Sequence, residues 1–168
     1  YVLKFMDNSS LVTLDDINLS YATILYAKDK KGTDTPIYTL SGGNKCVWVD
    51  IEKVPQHVQD AFVFAEDARF YSHEGVDFKR TFAAFANYVF NFWGNAQGGS
   101  SITQQLVKNI THDDKQKADR KIREIFSALN MERNYTKTDI LEAYMNITPF
   151  WYNMTGIQTA ANFYFNKD

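Results

Sequence analysis

The spacing of apolar residues changes at Pro55, and this change predicts two kinds of structure in one chain. Before Pro55, residues 21–53 alternate apolar and β-branched side chains between turns rich in Gly and Asp, a pattern typical of a small β-hairpin or meander. After Pro55, apolar residues recur every three or four positions, the period of an amphipathic α-helix. Proline itself suits the first position of a helix. The first helical face contains Val58, Ala61, Phe62 and Ala65.

The helical period continues almost to the end of the chain. Further helices are expected at residues 77–94, 102–110, 115–134, 140–146 and 156–165. Ser100 or Ser101 is expected to cap the second of these, and Thr136 with Asp139 forms a capping-box-like pair ahead of the fourth. The expected apolar faces hold Phe78, Phe82, Phe85, Val89 and Phe92 in the first segment and, facing inward, Ala118, Ile122, Ile125 and Leu129 in the third. The prediction is a mainly α fold, with an entry segment at 1–53 that holds the small β element and a helical domain at 54–168.

The composition is that of a globular domain and argues against some partners. The chain has 168 residues, of which 45% are hydrophobic and 23% are charged, enough for one domain with a real core. The net charge of -2 gives no bulk attraction to nucleic acid, so no nucleic acid is expected as a partner. The single cysteine, Cys46, cannot form an internal disulfide. Aromatic residues make up 15%, a surplus that fills a core or lines a groove for sugar rings or lipid.

The stretch EDARFYSHEG, residues 66–75, places titratable side chains directly after an apolar helix. A carboxylate that closes such a helix beneath aromatic neighbours is typical of the groups that proteins use for proton transfer, which makes Glu66 and Asp67 candidates. The alternative is a structural helix end, in which these acids pair with Arg69 or Lys79. The residues alone leave both interpretations open.

A second candidate is the stretch GGSSITQQLVKN, residues 98–109. Glycines and two hydroxyls ahead of a helix present backbone N–H groups to an anion. Gln104 and Lys108 then share a helix face at i, i+4 spacing. The Gly-Lys-Ser/Thr order of a phosphate-binding P-loop is absent, and a plain capped helix is the alternative.

The third candidate is a basic helix around the stretch DRKIREIF. Basic residues outnumber acidic ones between Lys108 and Lys137, although the whole chain is slightly acidic. Glu124 lies within one helical turn of Arg120 and Lys121. One interpretation is a salt-bridged solvent face; the other is a phosphate clamp with a carboxylate embedded in it. The three candidates together suit displacement of a phosphorylated leaving group from a sugar better than simple hydrolysis of a glycoside.

Five segments of this chain resemble one known family. They are EDARFYSHEG, GGSSITQQLVKN, RKIRE, KTDILEAYMN and GIQTAANFYFNK. Their order and spacing are similar to those of the peptidoglycan glycosyltransferase domain of class A penicillin-binding proteins and of monofunctional transglycosylases, from about Trp48 to Asp168. The resemblance implies a mostly helical, lysozyme-like fold with a smaller membrane-facing jaw. It also implies an inverting hexosyltransferase that polymerises lipid II into β-1,4 glycan strands and releases undecaprenyl pyrophosphate.

The resemblance also implies roles for particular residues. Glu66 would be the general base that takes the proton from the acceptor 4-hydroxyl. Glu124 would be a second carboxylate near the departing pyrophosphate, acting through a divalent cation (Mg or Mn) in some relatives. The remaining implied roles are neutralisation of the pyrophosphate by Lys108, Arg120 and Lys121, lining of the donor site by Ser100, Gln104 and Gln105, and shaping of the cleft by Asp67, Phe70 and His73.

The family context further implies partners and a location. The expected partners are lipid II, the growing lipid-linked glycan strand, the membrane surface and a moenomycin-type inhibitor, at the extracytoplasmic face of the bacterial cell membrane. Two stretches depart from the family pattern. Ser101 stands where the family usually has Thr, and NITPFWYNMTG replaces a stretch that is usually richer in glycine.

The sequence is expected to be a piece of a longer protein, with the family fold truncated at its C-terminus and the membrane anchor outside it. Two alternatives to the polymerase remain at this level. One is a lysozyme-like lytic hydrolase with Glu66 as general acid, and the other is a non-catalytic binder of lipid-linked precursor. A neutral glycan does not require the basic cluster, which favours the polymerase over the hydrolase.

Overall fold

The computed structural model describes residues 12–18, 23–40, 46–83, 98–112, 117–152 and 154–166, and it is mainly helical. The α-helices are α1 (Gln56–Asp67), α2 (Ile102–Thr111), α3 (Lys117–Asn134), α4 (Lys137–Ile147) and α5 (Ile157–Phe165), and residues 78–83 are helical as well. Short 3₁₀ helices cover Leu14–Asp16, Ile51–Lys53 and Phe70–Ser72. The strands are β1 (Thr23–Lys28), β2 (Asp34–Leu40), β3 (Pro149–Phe150) and β4 (Met154–Thr155), paired as β1–β2 and β3–β4. The mainly α fold class predicted from the sequence is confirmed.

The described residues divide into two compact units. The larger unit contains the residues up to Ile17 together with Asp50–Tyr144, and the smaller contains Asn18–Val49 together with Met145–Asp168. The sequence boundary proposed between residues 53 and 54 stays a prediction about domain architecture. All of the candidate site residues named above belong to the larger unit.

The hairpin of the smaller unit forms where β structure was expected. Strands β1 and β2 pair antiparallel from Thr23 opposite Leu40 to Lys28 opposite Asp34. The side chain of Asp29 organises the turn, because its Oδ1 accepts hydrogen bonds from two backbone N–H groups within the next four residues. Sequence pattern and turn chemistry therefore agree in this segment.

Residues 46–50, CVWVD, would have to supply the third strand of a meander, but they form no strand, so of the two expected forms the described residues show the hairpin. Cys46 makes only an isolated bridge to Thr155. The side chain of Asn146 accepts from the Val49 N–H and donates to the Val49 carbonyl, both at 2.8 Å. A buried amide thus takes the backbone groups that a neighbouring strand would otherwise pair.

The core of the larger unit is built where α2 packs against α3. Ile102, Leu106 and Val107 of α2 are buried, and Met131 of α3 is fully buried. The helix caps agree with the sequence. Of the two candidate serines, Ser101 caps α2 through a capping box with Gln104, and the Thr136–Asp139 pair caps α4.

The buried stripe of α3 differs from the expected one. Ile122, Ile125 and Leu129 are only half-buried, and the side chain of Ala118 lies outside the described residues. The buried positions are Glu124, Ser127, Ala128 and Met131. The side chain at position 128 is small where the backbone at Gly75 lies against the Ala128 carbonyl; a Cβ added to Gly75 would come within 2.5 Å of that oxygen. Close backbone approach, rather than the largest apolar area, sets the rotation of α3.

The apolar faces expected around the first motif also shift. On α1, Val63 and Asp67 are buried, whereas Ala61 and Ala65 are exposed. In the next segment Phe78 and Phe82 are 62% and 73% exposed, and the predicted positions from 84 to 94 lie outside the described residues.

Replacement of Gly75 by alanine is predicted to destabilise the fold for two reasons, and a control variant can separate them. It has φ +84° and its added Cβ would strike backbone, whereas Gly32 has φ +83° and open space around it. We expect Gly75→Ala to lower the unfolding free energy by roughly 2–4 kcal/mol and Gly32→Ala by only about 1 kcal/mol. Urea denaturation followed by circular dichroism measures both. Equal losses of unfolding free energy in the two variants would show that the close approach to Ala128 does not add to the cost of the substitution.

Candidate active site

The site begins at the C-terminal end of α1, where two successive carboxylates face different surroundings. Asp67 is 1% exposed, and Glu66 is half-buried at a cleft. The Oδ2 atom of Asp67 accepts the Ile102 N–H at 3.1 Å and the His73 Nε2–H at 2.9 Å. Arg80 approaches the other oxygen, Oδ1, at 3.9 Å. One buried carboxylate therefore joins α1 to the start of α2 and to the loop between them.

Glu66 is held by its neighbours on other helices. Gln105 of α2 donates from Nε2 to Glu66 Oε2 at 2.9 Å, and its Oε1 accepts the Tyr144 hydroxyl at 3.0 Å. Arg80 donates to the backbone carbonyl of Glu66. These contacts restrict the carboxylate while leaving it half-exposed to the cleft.

The start of α2 is a capped helix whose N-terminal groups are largely used by the protein itself. The Ile102 N–H binds Asp67, the Gln104 N–H binds the Ser101 hydroxyl, and the Ser101 N–H binds Gln104 Oε1. The interpretation of this helix start as an open anion receptor is therefore wrong at these groups. A carboxylate of the chain occupies the position instead, which is the charge that a helix N-terminus favours.

The loop after α1 is held in place by a buried aromatic ring and by the contacts of Lys137. Phe70 is fully buried, and the Lys137 ammonium lies 4.3 Å from the centre of its ring. The same ammonium donates to the His73 carbonyl and to Glu132 Oε1, each at 2.7 Å. Thr103 also donates to that oxygen at 2.6 Å. Lys137 was not among the sequence candidates, since a lysine near a helix start carries no local signal of such contacts.

An ion pair with a partner unexpected from the sequence borders the cleft. Arg69 binds Asp77 at 2.6 Å rather than the adjacent acids of α1. Burial alone would raise the pKa of Asp77, but the Arg80 backbone N–H and the Arg69 guanidinium outweigh it and hold the pKa below its usual range. Asp77 stands three residues before Arg80, the spacing of a helix cap, which is the signal that could have identified it.

The basic helix contributes a paired cluster. Glu124 is 6% exposed, with Lys121 Nζ at 3.1 Å and Arg120 Nε at 3.4 Å from its two oxygens. Lys121 also donates to the Ser100 hydroxyl at 2.8 Å. Among the residues that the structure describes, no three His, Cys, Asp or Glu side chains cluster as metal ligands. With both oxygens of Glu124 facing cations, the described donors do not fit a resident divalent ion.

These groups share one cleft of about 600 Å³. Of the sequence candidates, those that line it are Glu66, Asp67, Ser100, Gln104, Gln105, Lys108 and Glu124. Arg120 and Lys121 adjoin it through Glu124, whereas Phe70 and His73 support the loop beneath it. Arg69, Asp77 and Arg80 also line the cleft and were not proposed as site residues.

Comparison with known proteins gives the arrangement a family. A family model described as Transglycosylase matches residues 33–168, most of the chain and all of the cleft. This chain belongs to the transglycosylase family. Within the described residues, every helix of this transglycosylase domain is too short or too polar to cross a lipid bilayer.

Named relatives agree with this membership. The chain is 43% identical over 122 residues to penicillin-binding protein 1F of Bacillus subtilis, covering 71% of the chain and 17% of that relative. It is 37% identical to penicillin-binding protein 1A of Clostridium tetani, covering 90% and 19%, and 41% identical to a monofunctional glycosyltransferase of Staphylococcus aureus, covering 73% and 45%. The transglycosylase chain thus spans less than half the length of each of these relatives.

The depressed pKa of Asp77 predicts a pH-dependent contribution to stability. The charged form is stabilised in the folded state, so this contribution is complete above the unfolded pKa of about 4 and is lost as the pH falls through the folded pKa. Because Arg69 is half-exposed, we expect Asp77→Asn to lower the unfolding free energy near pH 7 by only about 1 kcal/mol. The difference in unfolding free energy between the variant and the wild type should become smaller below about pH 4. Denaturation curves from pH 3 to 7 measure it, with the exposed Asp60→Asn as control. A gap that widens in acid would contradict this assignment.

Proposed function

We propose that this chain is the catalytic part of a peptidoglycan glycosyltransferase. It polymerises lipid II into β-1,4 glycan strands and releases undecaprenyl pyrophosphate. Family membership and the names of the relatives support the reaction class. The observation that carries the proposal is the cleft itself, in which the half-exposed carboxylate of Glu66 and the exposed ammonium of Lys108 share one cavity of about 600 Å³.

Glu66 acts as the general base in this proposal. Its carboxylate takes the proton of the acceptor 4-hydroxyl as that oxygen attacks the anomeric carbon of the donor, which inverts the configuration there. A general base must reach the proton that it removes, and Glu66 lines the cleft while Gln105 holds one of its oxygens. Asp67 cannot take this role in its place, because it is buried and its Oδ2 atom already accepts two hydrogen bonds.

Positive charge on α2 and α3 stabilises the departing pyrophosphate. Fixed cations are most effective where negative charge grows in the transition state, because they need no rearrangement. Lys108 lines the cleft without a carboxylate partner among the described residues. Arg120 and Lys121 are oriented by Glu124, which gives that carboxylate a positioning role.

The lipid-linked substrate places the reaction at the extracytoplasmic face of the cell membrane. Lipid II, the growing glycan strand and the membrane surface are the proposed partners, and a moenomycin-type phosphoglycolipid is the proposed inhibitor. A diphosphate leaving group gives a role to Lys108, which lines the cleft, and to the adjoining Arg120 and Lys121; a hydrolase acting on neutral glycan does not need these cations.

Replacement of the proposed base should abolish polymerisation without abolishing binding. We expect Glu66→Gln to reduce glycan strand formation from labelled lipid II by at least about 10²-fold, since a glutamine cannot accept the proton. Glu74→Gln is the matched control, because Glu74 is an exposed glutamate of the same segment and does not line the cleft. Gel-resolved strand synthesis gives the rate, and lipid II binding is measured separately. A Glu66→Gln variant that polymerises at the wild-type rate would refute the assignment.

The role of Lys108 can be tested against a lysine of equal charge elsewhere. We expect Lys108→Met to lower kcat/KM for lipid II by about tenfold to a hundredfold, because one fixed cation at the leaving group is lost. Lys79→Met removes the same charge at an exposed position outside the cleft and should change the rate less than twofold. Equal effects of the two variants would attribute the loss to overall charge.

A digestion assay separates the polymerase from the other two functions. Release of soluble sugars from purified cell wall, without lipid-linked substrate, would identify a lytic hydrolase. Saturable moenomycin binding with no strand synthesis would identify a precursor-binding module. Strand synthesis that moenomycin inhibits is the result that the proposal requires.

A further inference from the structure

The proposed base is connected to a buried tyrosine through one side-chain amide. Tyr144 of α4 donates its hydroxyl to Gln105 Oε1 at 3.0 Å, and Gln105 of α2 donates from Nε2 to Glu66 Oε2 at 2.9 Å. The chain of hydrogen bonds therefore runs across three helices and ends on the carboxylate at the cleft. Tyr144 is 3% exposed, so it does not meet a substrate in the cleft.

We infer that Tyr144 is a positioning residue that acts on Glu66 through Gln105, an inference that rests on the proposed function. The direction of the hydrogen bonds follows from the carboxylate end. A charged carboxylate only accepts, so the amide must present its NH₂ group to Glu66 and its oxygen to Tyr144. The tyrosine hydroxyl supplies the donor that this orientation requires.

The hydroxyl matters because a glutamine amide is nearly symmetric in shape. Without a donor facing its oxygen, the amide gains nothing from that orientation and can rotate by half a turn. The rotated amide would place its oxygen against the carboxylate, where two acceptors repel each other and Glu66 loses its hydrogen bond. Tyr144 thus keeps the carboxylate oxygens of Glu66 in one place.

The tyrosine is itself held firmly enough for this role. Its ring packs edge-on against Phe62 of α1, with ring centres 6.3 Å apart and planes at 83°. Phe62 lies one turn before Glu66 on the same helix. Tyr144 therefore contacts α1 directly through its ring, and it is linked to Glu66 through the hydrogen bonds of Gln105. Removing the hydroxyl leaves the ring contact intact, which makes the hydrogen-bonding role testable on its own.

The charges around Glu66 must stay constant in such a test. They are Asp67 on α1, Arg69 and Asp77 on the following loop, Arg80 on the helix at 78–83, Lys108 on α2 and Glu124 on α3. Tyr144→Phe changes none of these groups, because it removes one hydroxyl and leaves every acid and base named above in place. A change in the pH dependence of the reaction is therefore not caused by the loss of one of these charged groups.

The experiment compares kcat, KM and the pH–rate profile of the wild type, Tyr144→Phe, Gln105→Leu and the double variant. We expect Tyr144→Phe to lower kcat about five- to tenfold with KM for lipid II unchanged, the size of one lost hydrogen bond. The pH–rate profile of Tyr144→Phe should also differ from that of the wild type, because the hydrogen-bond chain that ends on the proposed base has lost a member. In the Gln105→Leu background the tyrosine substitution should have little further effect.

Controls distinguish the ways in which this inference can fail. Tyr135→Phe removes a hydroxyl outside the cleft and should leave all three quantities unchanged. Additive losses in the double variant, or a wild-type profile for Tyr144→Phe, would overturn the positioning role while the proposed function stands. An active Glu66→Gln variant would instead remove the proposed function on which the inference rests. Thermal unfolding of each variant separates a loss of fold from a loss of positioning.

Discussion

The buried carboxylate of Asp67 is the constraint on which the rest of the site depends. Removing a charge from water costs roughly several kcal/mol of folding free energy unless the charge is hydrogen-bonded and paired. Asp67 meets this requirement with the first N–H group of α2, the ring of His73 and the nearby guanidinium of Arg80. These partners come from three separate segments, so burying the carboxylate brings those segments together. Because successive helical side chains point about 100° apart, the same packing turns Glu66 toward the cleft.

The other charges extend this pattern around the cavity. Arg69 is paired with Asp77, Lys137 with Glu132, and Glu124 with two cations of its own helix. Each pairing fixes a flexible side chain or a loop, and those of Asp77 and Glu124 fix carboxylates that line the cleft. Such preorganisation is the main way in which proteins stabilise charge that develops in a transition state. The uncharged chain from Tyr144 through Gln105 does the same for the proposed base.

Local signals in the sequence predicted much of this and failed where distant backbone groups compete. The hairpin, the helices and both capping boxes follow from residues within a few positions of one another. The meander alternative was wrong because the side chain of Asn146, about a hundred residues away, forms hydrogen bonds to the backbone of Val49 in place of a third strand. The prediction of the inward face of α3 was wrong because the backbone at Gly75 lies against the backbone at Ala128, a close approach that favours small residues over isoleucine. No window of the sequence contains either contact.

The sequence by itself determined the fold class, the family motifs and the identity of the acids and cations available for chemistry. Hydrophobic period and capping are short-range effects, and the motif residues can be recognised from their order alone. Only the tertiary structure decided which acid is buried and which faces the cleft, which carboxylate Arg69 binds, and that Tyr144 reaches Glu66 through an amide. Those choices depend on desolvation and hydrogen bonding between segments far apart in the chain, and these energies arise only when the helices pack.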